Sequence, residues 1–298
     1  MRNPIFINQD DQQLFDQQGY LVLPLLNDSE IEWLRKLFFD HHKDLPTGQF
    51  LSDSYLSDVT FKKAISDQIV QVLEPIYRRV FVDYQSFGAS FLYKTPGSGS
   101  ALAAHQDWSI VDEKRFVAIN CWIPLDDIHS KNGALHVLPG SHSLNHFVHR
   151  APTLPFFFSG YENMVHDRLV RLEMPAGTAV ILDQSLIHYS PDNMSEAMRL
   201  AITAGVKSKG APMEFHYFDQ HEHKLHRYSQ PEDFLLRFEN FKIDIGEKPK
   251  LGNWEEDMDY NVPSYSPKEM VSMLDSFLHK SGKKPQKSSI SWRAFFRR

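Results

Sequence analysis

Cysteine is almost missing. Cys121 is the only one in 298 residues, so no disulfide can form within the chain, and a reducing cytoplasmic setting is the expectation. Long apolar runs are missing too. None approaches the roughly 18 residues that cross a bilayer, and Ile5-Phe6-Ile7 is too short for a signal-peptide core, so neither export nor a membrane span is expected. An excess of positive charge is also lacking: 32 Lys and Arg stand against 38 Asp and Glu, a net charge of −6. That sign disfavours a general nucleic-acid binder, which must neutralise phosphates. No internal repeat or low-complexity block is visible, which excludes a solenoid.

What remains is an ordinary folded chain, 42% hydrophobic and 23% charged, long for one average domain but within the range of a single β domain carrying extra helices. One elaborated domain over 1–279 is expected, with a helical part over about 1–83, a β core over about 84–206 and a C-terminal elaboration over about 207–279. Asn8 and Gly19 bracket a short helix over 9–18 that leads into a strand at Tyr20-Leu21-Val22-Leu23-Pro24. Ile31, Leu34, Leu37 and Phe38 recur at helical spacing after the capping group Asn27, Asp28 and Ser29, giving a helix to about His42. A third helix is predicted over 61–82, broken or bent at Pro75.

From about Tyr84 the pattern changes to short apolar or alternating runs punctuated by Gly, Pro, Ser and Asn. Strands are predicted over 85–94, 103–108, 116–125, 134–138, 169–173, 178–182 and 197–206, which implies a sandwich or barrel. The segment 143–168, rich in His, Phe and Pro between two core strands, reads as a lid or substrate loop. Helices are predicted over 232–241 and 267–279. The segment 280–298 has seven Lys or Arg and no acid, with aromatics interleaved near its end. It reads as a mobile, solvated tail, the alternative being contact with an anionic membrane surface.

The chemistry concentrates in two places. His105-Gln106-Asp107 lies within a strand signal, and alternation sets residues i and i+2 on one face, so the imidazole and carboxylate can converge. Alone, such a triplet is common and most often structural. Asp183-Gln184-Ser185-Leu186-Ile187-His188 brings a second histidine after a strand, and Arg199 follows eleven residues later. Two histidines and a carboxylate make a facial triad that leaves open positions on Fe(II). An arginine one strand onward supplies a fixed cation for the far carboxylate of a dicarboxylic co-substrate.

At these residues the chain resembles the phytanoyl-CoA dioxygenase family of Fe(II)- and 2-oxoglutarate-dependent oxygenases. The motifs that carry the resemblance are Phe15-Asp16-Gln17-Gln18-Gly19-Tyr20-Leu21-Val22, His105-Gln106-Asp107, Trp122-Ile123-Pro124-Leu125-Asp126-Asp127, Asn132-Gly133-Ala134-Leu135, Pro139-Gly140-Ser141-His142, and His188 with Arg199. Their order is more specific than any one of them. The resemblance implies a mainly β, cupin-like fold, a double-stranded β-helix or jelly roll with helices packed on the major sheet. It also implies iron ligands at His105, Asp107 and His188, a 2-oxoglutarate clamp at Arg199, and Trp122 and Ser190 beside the co-substrate. The cofactors expected are Fe(II), 2-oxoglutarate and O2, with ascorbate as a candidate reductant.

The reaction so implied is hydroxylation of an unactivated C–H of a small organic substrate, with succinate and CO2 released. The alternatives are desaturation or ring closure by the same cofactor chemistry, and a non-catalytic cupin-like metal-binding or sensing protein. Asp107 argues against halogenation, for which relatives of this fold vacate the carboxylate position. Where the family often has a hydroxyl residue two after the arginine, this chain has Ala201. Gln106 and Trp108 read as packing residues and His142 as structural. His216, His221, His223 and His226 invite a second metal site, but their spacing matches no ligand pattern, and a solvated connection is expected.

Overall fold

The computed structural model describes residues 2–144 and 149–282, so residues 145–148 of the predicted loop and residues 283–298 of the basic tail lie outside the described residues. Thirteen strands are described: β1 (Tyr20–Pro24), β2 (Phe50–Ser52), β3 (Tyr84–Lys94), β4 (Leu102–His105), β5 (Ala118–Pro124), β6 (His136–Val137), β7 (Val170–Arg171), β8 (Thr178–Asp183), β9 (His188–Ser190), β10 (Arg199–Ser208), β11 (Met213–Asp219), β12 (Lys224–Gln230) and β13 (Asn253–Asp259). The helices are α1 (Gln9–Gln18), α2 (Asp28–His41), α3 (Val59–Val80), α4 (Glu162–His166), α5 (Phe241–Asp244) and α6 (Pro267–Lys280).

A six-stranded sheet in the order β1-β8-β5-β10-β3-β2 faces a four-stranded sheet in the order β4-β9-β6-β7. Every pairing in both is antiparallel. This is the expected jelly roll.

Alternation along the major sheet sorts its side chains. Ile119, Cys121 and Ile123 of β5, Ala179 and Ile181 of β8, and Leu200, Ile202 and Ala204 of β10 point outward, into one core with Phe15, Leu34, Phe38, Ile65, Ile69 and Leu73 of α1 to α3. Full burial of each large side chain here is worth about 1.5–3 kcal/mol, so the helices are held on the outer face by the strands that carry the site on their inner one. Asn120, Trp122, Arg199, Ala201 and Thr203 occupy the alternate positions, facing inward.

Helix starts follow their caps. Asn8 accepts from the amides of Asp10 and Asp11, Asn27 and Glu30 form a capping box, and Ser266 and Glu269 form another ahead of α6. Pro75 does not break α3. Pro75 and Gln71, whose carbonyl loses its partner, both lie on the exposed face, where water can satisfy that oxygen.

Beyond β10 the chain departs from expectation. β11, β12 and β13 form a third, three-stranded antiparallel sheet, and 232–241 holds only a single turn at Phe234–Leu236 before α5. The four histidines are therefore not a solvated connection. His216 and His226 are buried on the β11–β12 hairpin, and only His221 and His223, at its turn, are exposed. In the 143–168 segment, Phe157, Phe158 and Val165 are buried against Leu274 and Phe277 of α6. Among the described residues no helix is long and apolar enough to cross a membrane.

Candidate active site

β4 and β9 pair with His105 opposite His188, which brings the two imidazoles side by side with centroids 4.1 Å apart. Each ring is held from behind by a carbonyl two residues earlier: Nδ1 of His105 bonds Ala103 at 2.7 Å, and Nδ1 of His188 bonds Leu186 at 3.0 Å. A proton committed at Nδ1 leaves the Nε2 lone pair free, the arrangement a metal-ligating histidine needs. Burial, helped by the neighbouring His188, pushes His105 down to about 4, so that ring is neutral at physiological pH.

Asp107 completes the cluster. Its Oδ1 lies 3.9 Å from Nε2 of His105 and 3.9 Å from Nε2 of His188. Strand alternation is not the cause, because β4 ends at His105 and the carboxylate is delivered by the segment that follows. Oδ2 is committed elsewhere, accepting from the side-chain amide of Asn120 at 3.2 Å. The Asn120 carbonyl oxygen in turn accepts from the Thr203 hydroxyl. Two imidazoles and one carboxylate oxygen thus converge from one side, a donor set suited to Fe(II) with its other positions open.

Arg199 begins β10 and is 2% exposed. One guanidinium nitrogen donates to the Gly133 carbonyl at 3.1 Å, the guanidinium carbon sits 5.3 Å from the Trp122 ring centroid, and Nε has no partner. Burial lowers its pKa to about 10, partly opposed by Asp126. It remains a cation at neutral pH, yet among the described residues no carboxylate pairs with it. Arg199, Trp122 and Ser190 line one cavity of about 190 Å³ together with His105, Asp107 and His188. A buried, under-satisfied guanidinium in such a cavity fits an anionic guest.

The family model for phytanoyl-CoA dioxygenase matches residues 15–201, a span that holds both halves of the cluster and the arginine. The chain belongs to the phytanoyl-CoA dioxygenase family. Phytanoyl-CoA dioxygenase of Arabidopsis thaliana is 32% identical over 139 residues, 44% of this chain and 45% of that protein. Phytanoyl-CoA dioxygenase domain-containing protein 1 of Bos taurus is 31% identical over 121 residues, 38% of this chain and 41% of that protein. The matches thus span less than half the length of these curated relatives. Among solved structures, the non-heme alpha ketoglutarate dependent carbocyclase SnoK from nogalamycin biosynthesis aligns with a TM-score of 0.50 at 14% identity, over 70% of this chain and 86% of that one. That likeness is one of fold.

In this member of the phytanoyl-CoA dioxygenase family, the six residues singled out by sequence all reach one cavity. The motif Pro139-Gly140-Ser141-His142 is structural, as expected: the Gly140 amide donates to Gln18 at 2.8 Å, and Nε2 of His142 bonds the Asp16 carbonyl at 3.0 Å. Gln106 is buried and donates to the Ser185 carbonyl, and Trp108 stacks on Phe241. Both, however, also line a second cavity, of about 400 Å³, that shares His105 and Asp107 with the first. Reading by sequence missed Asn120 and Thr203. A polar residue inside the apolar run 118–124, two before Trp122 and so on its face, was the available signal for the first. Lys94 was missed as well; it is fully buried and faces Arg199 across the β3–β10 register.

Proposed function

We propose that this protein is a non-haem Fe(II)- and 2-oxoglutarate-dependent dioxygenase that hydroxylates an unactivated C–H of a small organic substrate. The observation that carries this reading is the buried guanidinium of Arg199, lacking a carboxylate partner, in the same cavity as His105, Asp107 and His188. A scaffold that only stored or sensed a metal would have no use for that cation, which costs stability to bury.

Iron would be held by Nε2 of His105, Nε2 of His188 and Oδ1 of Asp107. Bound there with 2-oxoglutarate and O2, it supplies the oxidising power for hydroxylation, with succinate and CO2 as co-products. The chain's own part is positioning. Arg199 receives the far carboxylate, Trp122 covers the guanidinium and keeps water from it, and Ser190 lines the same wall. Asn120 holds Asp107 so that one oxygen alone faces the ligands, and the larger cavity receives the carbon to be oxidised.

The test is anaerobic addition of Fe(II) and 2-oxoglutarate. A weak visible charge-transfer band should appear in the wild type, vanish in His188→Ala and Asp107→Ala, and require more 2-oxoglutarate in Arg199→Ala. Loss of one charge-assisted contact of about 1.5–3 kcal/mol corresponds to roughly ten- to hundredfold in that requirement. A wild type without the band overturns the proposal.

A further inference from the structure

The two cavities that meet at the His105–Asp107–His188 cluster differ in charge. Arg199, a buried cation, lines the smaller one. The larger, about 400 Å³, is lined by no Lys and no Arg among the described residues; its ionisable side chains are His105, Asp107 and Tyr55. Tyr55 stays protonated, because burial and the Asp107 charge both raise its pKa. An anionic group brought into this cavity would lose water and find no cationic side chain, while an Fe(II) held at the cluster would already be offset by Asp107 and by 2-oxoglutarate, a combination that disfavours it.

The walls are mainly hydrocarbon, with the side-chain amides of Gln106 and Gln184 among them. Trp108 stacks on Phe241 with centroids 5.8 Å apart and planes at 11°, and the edges of Phe215 and Phe238 hold the indole from behind. Part of the lining is built from a close contact: a Cβ at Gly205 would lie 2.1 Å from the Phe87 ring, so the missing side chain lets that ring pack against β10. Gly205 pairs with Gly88 across the β3–β10 register, and both glycines line the cavity.

We propose that the substrate enters this cavity as an uncharged, hydrocarbon-rich group, that carboxylate- or phosphate-bearing groups are not received there, and that Phe87 seated on Gly205 sets how much hydrocarbon fits. The proposal rests on the oxygenase reading above and names the substrate class for it. A neutral aliphatic or alicyclic molecule is the ligand chemistry that matches these walls.

The probes are 1-octanol and octanoate, which share a chain and differ in charge. Each is titrated calorimetrically into protein loaded anaerobically with Fe(II) and 2-oxoglutarate, once the chelate band has been seen. 1-Octanol should bind at least about tenfold more tightly than octanoate. Ile245→Lys, a new cation on the half-buried lining, should narrow or reverse that preference, and Gly205→Ala, which displaces the Phe87 ring, should weaken 1-octanol. Ile245→Lys alters no glycine contact and so tests the charge argument if Gly205→Ala folds poorly. Octanoate bound as tightly as 1-octanol, or neither probe bound, overturns the proposal while leaving the oxygenase reading intact; failure of the band itself overturns that reading instead.

Discussion

The side-chain amide of Asn120 donates to Oδ2 of Asp107 at 3.2 Å, and this one bond decides which carboxylate oxygen is left for the two imidazoles. Because the Thr203 hydroxyl holds the other end of the amide, Asn120 cannot rotate away without breaking a second bond. The pair ties Asp107, on the segment after β4, to the major sheet.

Asn120→Ala should therefore lower metal affinity without removing a ligand. Groups that orient a metal ligand from behind are typically worth ten- to hundredfold in affinity. Chelator competition with Fe(II) or Co(II) would measure it, and an affinity equal to that of the wild type would show that Asp107 is oriented by its backbone alone.

Arg199 trades stability for binding. Its guanidinium is buried, Nε has no partner, and burial depresses its pKa to about 10. Arg199→Met keeps the length and removes the charge, so the protein without ligands should gain about 1 kcal/mol or more. The same variant should lose the thermal stabilisation that 2-oxoglutarate gives the Fe(II)-loaded wild type, since a ligand stabilises only the state that binds it. Melting curves with and without 2-oxoglutarate read both effects. A variant less stable than wild type in the absence of ligand would mean that the Gly133 bond and the Trp122 contact outweigh the cost of the charge.

The site was legible because its chemistry is written in residue types with fixed roles: two histidines, an aspartate and an arginine, in an order that survives without knowledge of distance. The jelly roll was legible from strands that alternate, such as 118–124, where Ile119, Cys121 and Ile123 meet the helices and Asn120 and Trp122 turn inward. The third sheet was not. β13 is largely exposed, and β12 is half-buried with polar residues at most of its positions, so neither shows the apolar alternation that marks a half-buried strand, and histidines on buried positions looked like solvated polar residues. β9 is three residues long, too short to carry a period, and it was not predicted as a strand; only its His188 was singled out. Gly140 shows the limit of reading motifs for chemistry. Its φ of 83° and the carbonyl of Phe277, 2.4 Å from where a Cβ would sit, give it a packing role against α6, not a catalytic one.

Lys94 gives the last prediction, and its sign follows from burial. The side chain is fully buried, and its Nζ donates to Ser190 at 2.9 Å and to Pro191 at 2.6 Å. Desolvation first, and then the adjacent Arg199 charge, lower its pKa to about 6. Between that value and the ordinary lysine value of about 10.4, the folded protein holds Lys94 neutral while the unfolded chain binds a proton there. The unfolded state thus carries more protons, and this group makes the protein more stable as pH rises across that window. Lys94→Met removes the contribution. The difference in unfolding free energy between wild type and variant should therefore shift in favour of the wild type by up to about 1.4 kcal/mol per pH unit above about pH 6, as measured by denaturant titration at successive pH values. A difference that stays flat with pH would mean the ammonium survives burial, and that two cations, not Arg199 alone, stand ready for a carboxylate in the smaller cavity.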